Sequence, residues 1–350
     1  MGRLVVLVPA HNEERDLPAT LQALQAQERP ADLVVVIPNG CTDATEQVAR
    51  RYPFTVLALP ALPHRKSQAL NMAWERYAQD ADVVVCLDAD TVLPPNALAD
   101  WEQELAADPK LGGSSSKFTM QQPGLLPRIQ KAEFATWTQT SLDRGYTTVL
   151  AGTGCAIRGE ALRTLAALPD REGPWCYTSA TEDFELTYRI REAGWYCHVS
   201  PTVRAYTDSM RTLRALWGQR MKWQVGTVQD LLRFGLNRLT WRDWLQQAAC
   251  IFNVLAKALL VVFWTWLLAS GLATFIWYWW LLPLLFITLD VVRSRAIPHR
   301  DRKDVLLALA FFPMEAFQWM RAAWVAAAWL RVLSRRQTDL WQAQYRAEAQ

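Results

Sequence analysis

Short apolar, β-branched runs alternate with helical spacing through the first hundred residues. RLVVLVPA (3–10), DLVVVIP (32–38), FTVLALP (54–60) and DVVVCLD (82–88) read as strands. Between them, Leu17, Leu21 and Leu24, and the segment Ala69 to Tyr77, carry the period of amphipathic helices. That order predicts an α/β domain with a mostly parallel sheet covered by helices. Ligands of such sheets lie beyond the carboxyl ends of the strands, which is where Asn12, Asn39 and the pair Asp88 and Asp90 fall. No GxGxxG loop occurs, so the pattern does not support a dinucleotide fold.

The pattern changes in the second half. From Ala248 to Val292 the only charged residues are Lys257 and Asp290. A bilayer core takes about 20 apolar residues as a helix, so this stretch is long enough for two spans, joined near Ser270 and Gly271. A third apolar stretch, 305–333, carries Glu315 and Arg321 and is flanked by RSRAIPHRDRK and RVLSRR, so a re-entrant or interfacial helix competes there with a span. Ahead of these, Leu213, Leu216, Trp217 and Met221 predict an amphipathic helix over about 211–235. The expected division is a domain at 1–235, including that helix, and a membrane region at 236–350 with helices at about 248–270, 272–292 and 305–333.

Composition sharpens this picture. Eleven of the 18 Trp residues follow residue 240, as expected where helices meet a membrane interface. Met1 leads directly into a strand pattern without a signal-peptide organisation, so residues 1–235 are expected to be cytoplasmic and the protein a multi-pass protein of the cell membrane. The six Cys residues are scattered without a CxxC pair, which fits reduced thiols. A net charge of +3 over 350 residues gives no reason to expect nucleic acid, and the basic residues beside the apolar segments suit anionic lipid headgroups.

Candidate chemistry gathers at the strand ends. Side chains two apart on an extended chain point the same way, so Asp88 and Asp90 of DAD can face one point beyond the strand. Mg2+ or Mn2+ suits that point, with substrate phosphates completing its shell, while a polar turn after a strand is the plainer reading. PAHNEE (9–14) and PNGCTDAT (38–45) set short polar side chains at the same edge, where they could read a nucleobase. Asp43 with Glu46 also forms a capping-box pattern. Arg65 and Lys66 open a helix whose dipole they oppose, which suggests a phosphate nearby or a solvated basic loop. Glu182 and Asp183 fall in the first turn of a helix to be capped by Ser179 or Thr181, and the dipole alone favours acids there.

Taken together, PAHNEE, NGCTDAT, Lys66 with ALN, DAD, GTGCAIRGEAL, TED and QRMKW follow the order and rough spacing of family 2 glycosyltransferases of GT-A fold. Over about residues 4–240 the chain resembles the membrane-bound branch that contains cellulose, chitin, hyaluronan and poly-N-acetylglucosamine synthases. The resemblance implies an inverting transferase that uses a UDP-sugar, UDP-N-acetylglucosamine or UDP-glucose first. The acceptor would be a growing polysaccharide, or alternatively a polyprenyl-phosphate or other lipid, with an oligomer or export partner to complete the membrane part.

It also implies residue roles. Ala10, Asn12, Glu13 and Asn39 would contact uracil, Lys66 and Arg220 the diphosphate, and Asp88 and Asp90 the nucleotide and its Mg2+ or Mn2+. Asp183, with Glu182 beside it, would be the catalytic base. Gly152, Arg158, Thr181, Gln219 and Trp223 would serve the acceptor, the last two within a QxxRW-type box. Two departures stand out. Pro38 and Asn39 replace the family's acidic pair, and Lys222 takes an Arg position, where it is expected to help Lys66 and Arg220 stabilise the leaving diphosphate.

Overall fold

The computed structural model describes residues 2–169, 171–272, 281–335 and 339–348. It divides into two compact units, one formed by residues 2–122 and 137–209, the other by 123–136 and 210–350, as far as these are described. This differs from the expected division at 235. The amphipathic helix and a short earlier segment belong with the C-terminal helices, because they share an apolar core with them.

In the first unit the chain runs β1 (Leu4–Ala10), α1 (Leu17–Gln25), β2 (Leu33–Pro38), α2 (Thr45–Ala49), β3 (Thr55–Val56), α3 (Arg65–Tyr77), β4 (Val83–Cys86), α4 (Ala97–Ala107) and β5 (Leu111–Thr119). After α5 (Leu125–Arg144), whose first part belongs to the second unit, come β6 (Cys155–Arg158), α6 (Gly159–Ala166), α7 (Glu182–Glu192) and β7 (Tyr196–Tyr206). All four strands read from the apolar runs are present, the third shortened to two residues. The sheet order is β3-β2-β1-β4-β6-β5-β7, with β6 alone antiparallel to its neighbours. Alternate residues of β1 feed opposite cores: Leu4, Val6 and Val8 pack with α1 and α4, and Val5 and Leu7 with α3 and α6. Burial on both faces is why these strands read as continuous apolar runs.

The second unit comprises α8 (Leu213–Phe234), α9 (Trp241–Ala269), α10 (Leu281–Arg293), α11 (Arg302–Leu309), α12 (Phe311–Leu333) and α13 (Leu340–Glu348). Thr212 caps α8, its hydroxyl accepting from Ala215 N–H at 3.1 Å. Leu216, Met221 and Val225 of α8 pack against Phe317, Trp324, Val325 and Ala328 of α12.

Two expectations for this region change, and a third lies partly outside the described residues. Among the described residues one helix, α9, is long and apolar enough to cross a membrane, and none of its most apolar window is buried. The multi-pass expectation is therefore not supported. The expected helix at 272–292 falls partly outside the described residues, and α10 is its described part. The expected helix at 305–333 is two helices. Asp301 and Asp304 form a capping box that starts α11, and Ala310 is extended ahead of α12, which has Pro313 in its first turn. Part of α12 is a core helix of this unit rather than a uniformly exposed one.

The β4–β6 edge gives a direct test of packing. Gly159 N–H donates to Asp82 O at 2.8 Å, and a Cβ built on Gly159 would stand 1.9 Å from Ala81 O. Backbone cannot yield there as a side-chain end can, so Gly159→Ala is expected to destabilise the first unit by about 1–3 kcal/mol, the usual scale for overpacking. Denaturant melts of wild type and variant measure this, and equal midpoints would show that the edge is loosely packed.

Candidate active site

The carboxyl ends of β1, β2 and β4 and the start of α7 gather the chemistry of the first unit. At the end of β4, Asp88 N–H donates to Gly152 O at 2.9 Å, which ties the carboxylate to the 150–154 loop. That loop is fixed to α7 in turn. Leu150 N–H donates to Thr187 Oγ at 2.8 Å, and Thr187 Oγ donates to Asp183 O at 2.6 Å. The segment before α7 is held by a buried ion pair, Arg171 to Glu185 at 2.7 Å, and by Asn71, which bonds both polar groups of the Trp175 backbone. DAD and TED, far apart in sequence, are thereby locked to one loop.

Lys66, in the first turn of α3, is the cation among these acids. Its Nζ lies 2.6 Å from Asp88 Oδ1 and 3.4 Å from Glu182 Oε1. Burial opposes its charge, but Asp88 and Glu182 outweigh burial and raise the ammonium pKa well above its ordinary value. Asp183 acts on it in the same direction. A helix opening on a cation is disfavoured by its dipole, and here two carboxylates compensate. Gly152 leaves room for this pair. A Cβ there would stand 2.7 Å from Lys66 Nζ and 2.8 Å from Asp88 Oδ2.

Asp90 is held differently. It accepts from Thr91 Oγ at 3.1 Å and Thr207 Oγ at 3.4 Å, and burial, with Asp88 second, raises its carboxyl to about 7. Such a carboxylate lacks charge compensation and suits a hard cation. Among the described residues no group of three or more His, Cys, Asp or Glu is arranged to hold a metal. Two carboxylates with open positions fit Mg2+ or Mn2+, which share their shell with phosphates and water. Thr207 has no motif to announce it. It is brought in because β7 ends beside DAD, through paired backbone bonds between Val92 and Tyr206.

Farther along the edge, Asn39 N–H donates to Ala10 O at 2.9 Å, and its backbone O lies 2.8 Å from His11 Nδ1. Asn12, at φ 59°, accepts from Thr42 N–H at 2.8 Å, and Glu13 N–H donates to Thr45 Oγ at 2.7 Å. Asn39 Oδ1 is buried without a hydrogen-bond partner. Beside it Pro38, Gly40, Leu59 and Pro60 help line a cavity of about 330 Å3. Gly40 is required there, since at φ 60° a Cβ would press on Ala61 at 2.8 Å. The Asp43–Glu46 capping box does not form. Asp43 accepts from Thr45 and Glu14 N–H, Glu14 takes Ala44 N–H, and Glu46 pairs with Arg50. Nor does Thr181 cap α7 through its side chain, whereas Ser179 Oγ accepts from Thr181 N–H and Asp183 Oδ1 from Phe184 N–H.

Arg158 is corrected. It pairs with Val83 at the opposite end of β4, and its guanidinium donates to the Leu105, Asp108 and Leu111 carbonyls at 2.6–2.8 Å, so it braces the sheet. Gln219, Arg220 and Trp223 lie on α8 in the second unit. Arg220 is buried, pairs with Glu133 at 2.8 Å, and packs against the rings of both Phe134 and Trp223. Lys222 is also buried, its Nζ 3.3 Å from the Trp341 ring centre. Neither presents the open positive charge expected for a diphosphate. Sequence reasoning missed Glu133, which sits in no motif and is found only when α5 is seen to pack on α8.

The sequence profile described as "Glycosyltransferase like family 2" matches residues 2–226. The chain belongs to that glycosyltransferase family. It is 27% identical over 249 residues to the probable glycosyltransferase YdaM of Bacillus subtilis (strain 168), covering 67% of this chain and 57% of that protein. It is 27% identical over 236 residues to the poly-beta-1,6-N-acetyl-D-glucosamine synthase of Staphylococcus aureus (strain COL), covering 66% and 56%. The transferase therefore spans a little over half the length of the curated relatives it matches. Its structure is similar to the mannosyltransferase PcManGT from Pyrobaculum calidifontis in complex with GDP-Man and Mn2+, with a TM-score of 0.65, 21% identity, and coverage of 96% of this chain and 88% of that one. At that identity the likeness shows the fold, which is GT-A.

Gly152 provides the sharpest test of this geometry. Gly152→Ala should displace Lys66 from Asp88 without touching either core, and sub-ångström to ångström misplacement of catalytic groups costs up to ~100-fold. Sugar transfer is expected to fall at least ~10-fold while the melting temperature stays within a few degrees of wild type. Full activity in a folded variant would show that the contact is incidental.

Proposed function

We propose that the enzyme transfers N-acetylglucosamine from UDP-N-acetylglucosamine, with inversion, to a growing polysaccharide at a membrane, with Mg2+ or Mn2+ as cofactor. The observation that carries this reading is Lys66 held between Asp88 and Glu182, with Asp183 also acting on it, in a chain of this family. The S. aureus relative is a poly-beta-1,6-N-acetyl-D-glucosamine synthase, which favours the sugar and the polymer. Exposed, apolar α9 favours the membrane. Asn39, with a buried carboxamide oxygen that lacks a donor, suits the N–H of a uracil base.

A divalent cation held by Asp90 and Asp88 would act as a Lewis acid on the diphosphate as it departs. Lys66 places a fixed ammonium at the same edge, where negative charge grows on the leaving group. Asp183, half-buried at the start of α7, takes the proton of the acceptor hydroxyl. That oxygen bonds to C1 as the bond from C1 to the diphosphate oxygen breaks, and the electron pair leaves with UDP. Attack from the face opposite UDP turns an α-linked donor into a β-linked product. Trp223, partly exposed, offers an indole face to an acceptor sugar.

UDP release over a panel of UDP-sugars, measured on the full chain in nanodiscs and followed by sizing of the product, tests the function. N-acetylglucosamine polymer is expected. A single sugar on polyprenyl phosphate would replace the polymer reading, and release with UDP-glucose alone would replace the donor. Asp183→Asn is expected to keep UDP affinity within about twofold and to lower turnover by ~100-fold or more, the scale of general-base loss. Turnover near wild type would reduce Asp183 to a helix-start acid.

A further inference from the structure

We infer that Glu133 is a positioning residue for the Gln219–Trp223 box: its carboxylate fixes Arg220 in the stack that presents Trp223 to a neutral saccharide. The inference rests on the acceptor role proposed above for Trp223. Glu133 lies on α5, nine-tenths buried, and its Oε2 accepts from Arg220 Nη2 at 2.8 Å. Its Oε1 faces Arg321 Nε of α12 at 3.6 Å, so α5, α8 and α12 meet on one carboxylate. The guanidinium carbon lies 4.9 Å from the ring centre of the next residue, Phe134, and 4.6 Å from that of Trp223. The two ring centres lie 6.2 Å apart and the rings are tilted by 59°, so the cation packs in the corner that they form.

Two physical consequences follow from this arrangement. Arg220 is only 3% exposed, so without Glu133 it would be a desolvated charge lacking its counter-ion, and the stack would rearrange. With Glu133 in place the cation is neutralised and serves as backing for the indole. The surface left for a ligand is then a flat apolar ring, which suits the C–H face of an uncharged sugar better than a diphosphate. Arg321 adds a second cation on the same carboxylate and ties the arrangement to α12.

The test uses the full chain in nanodiscs, UDP-N-acetylglucosamine as donor and a β-1,6-linked N-acetylglucosamine pentamer as acceptor probe. Glu133→Gln is expected to raise the KM for the pentamer by ~10-fold and shorten the products, with kcat and donor KM within about twofold, and Glu133→Asp to fall between. The double variant Glu133→Gln with Arg220→Met removes both buried charges, so its melting temperature should recover while the pentamer KM stays high. Recovery of both together would mean that the pair is merely structural and would overturn the inference. A structure of Glu133→Gln should show the Trp223 ring displaced, and an unmoved ring would overturn it even if the wild type proves to use another acceptor. Trp223→Ala separates the two layers: an unchanged pentamer KM there defeats the acceptor role of Trp223, whereas a change there but none in Glu133→Gln defeats only the role of Glu133.

Discussion

Lys66 Nζ lies within 2.6 Å of Asp88 and 3.4 Å of Glu182, and Asp183 also raises its pKa. Those acids come from the end of β4 and the start of α7, and their mutual repulsion at the edge of a buried sheet would be costly without a cation. The ammonium offsets that repulsion at one point, while Asp90, displaced along the same edge, remains uncompensated enough for burial to push its carboxyl to about 7. Much of the local architecture serves this balance. The 150–154 loop bonds to Asp88 and α7, Gly152 leaves space for the ammonium, and the Arg171–Glu185 pair anchors the segment ahead of α7.

The second unit handles charge by the opposite route. Arg220 and Lys222 are buried against aromatic rings, and Arg220 is neutralised by Glu133. A cation over an aromatic face gains about 0.5–2 kcal/mol, more when desolvated. The cations of the box therefore stabilise a surface rather than advertise charge. The strand ends thus gather carboxylates around one ammonium, whereas the cations of α8 are buried against aromatic rings.

Much of this was legible in the sequence because its physics is local. The four apolar runs gave strands, since a strand buried on both faces must be continuously apolar, and DAD gave a carboxylate pair at a strand end, since side-chain direction repeats every two residues. Lys66 and Asp183 stand in ordered motifs, and the structure brings them to one place, while their chemical roles are proposals. What failed was long-range. Arg158 reads as polar and available beside the glycine-rich loop, but antiparallel pairing sends it to the far end of β4. The stretch 305–333 reads as one apolar helix, but extended Ala310 splits it into α11 and α12. Glu133 and Thr207 carry no motif, and only tertiary packing reveals them.

The central claim is that the carboxylates at the end of β4 bind a nucleoside diphosphate through a divalent cation. Calorimetric titration of UDP into the full chain, once with chelator and once with Mn2+, tests it most directly. We expect Mn2+ to tighten UDP binding at least ~10-fold, about 1.4 kcal/mol, and Asp90→Asn to lose that gain. Equal UDP affinity in chelator and in Mn2+ would contradict the claim.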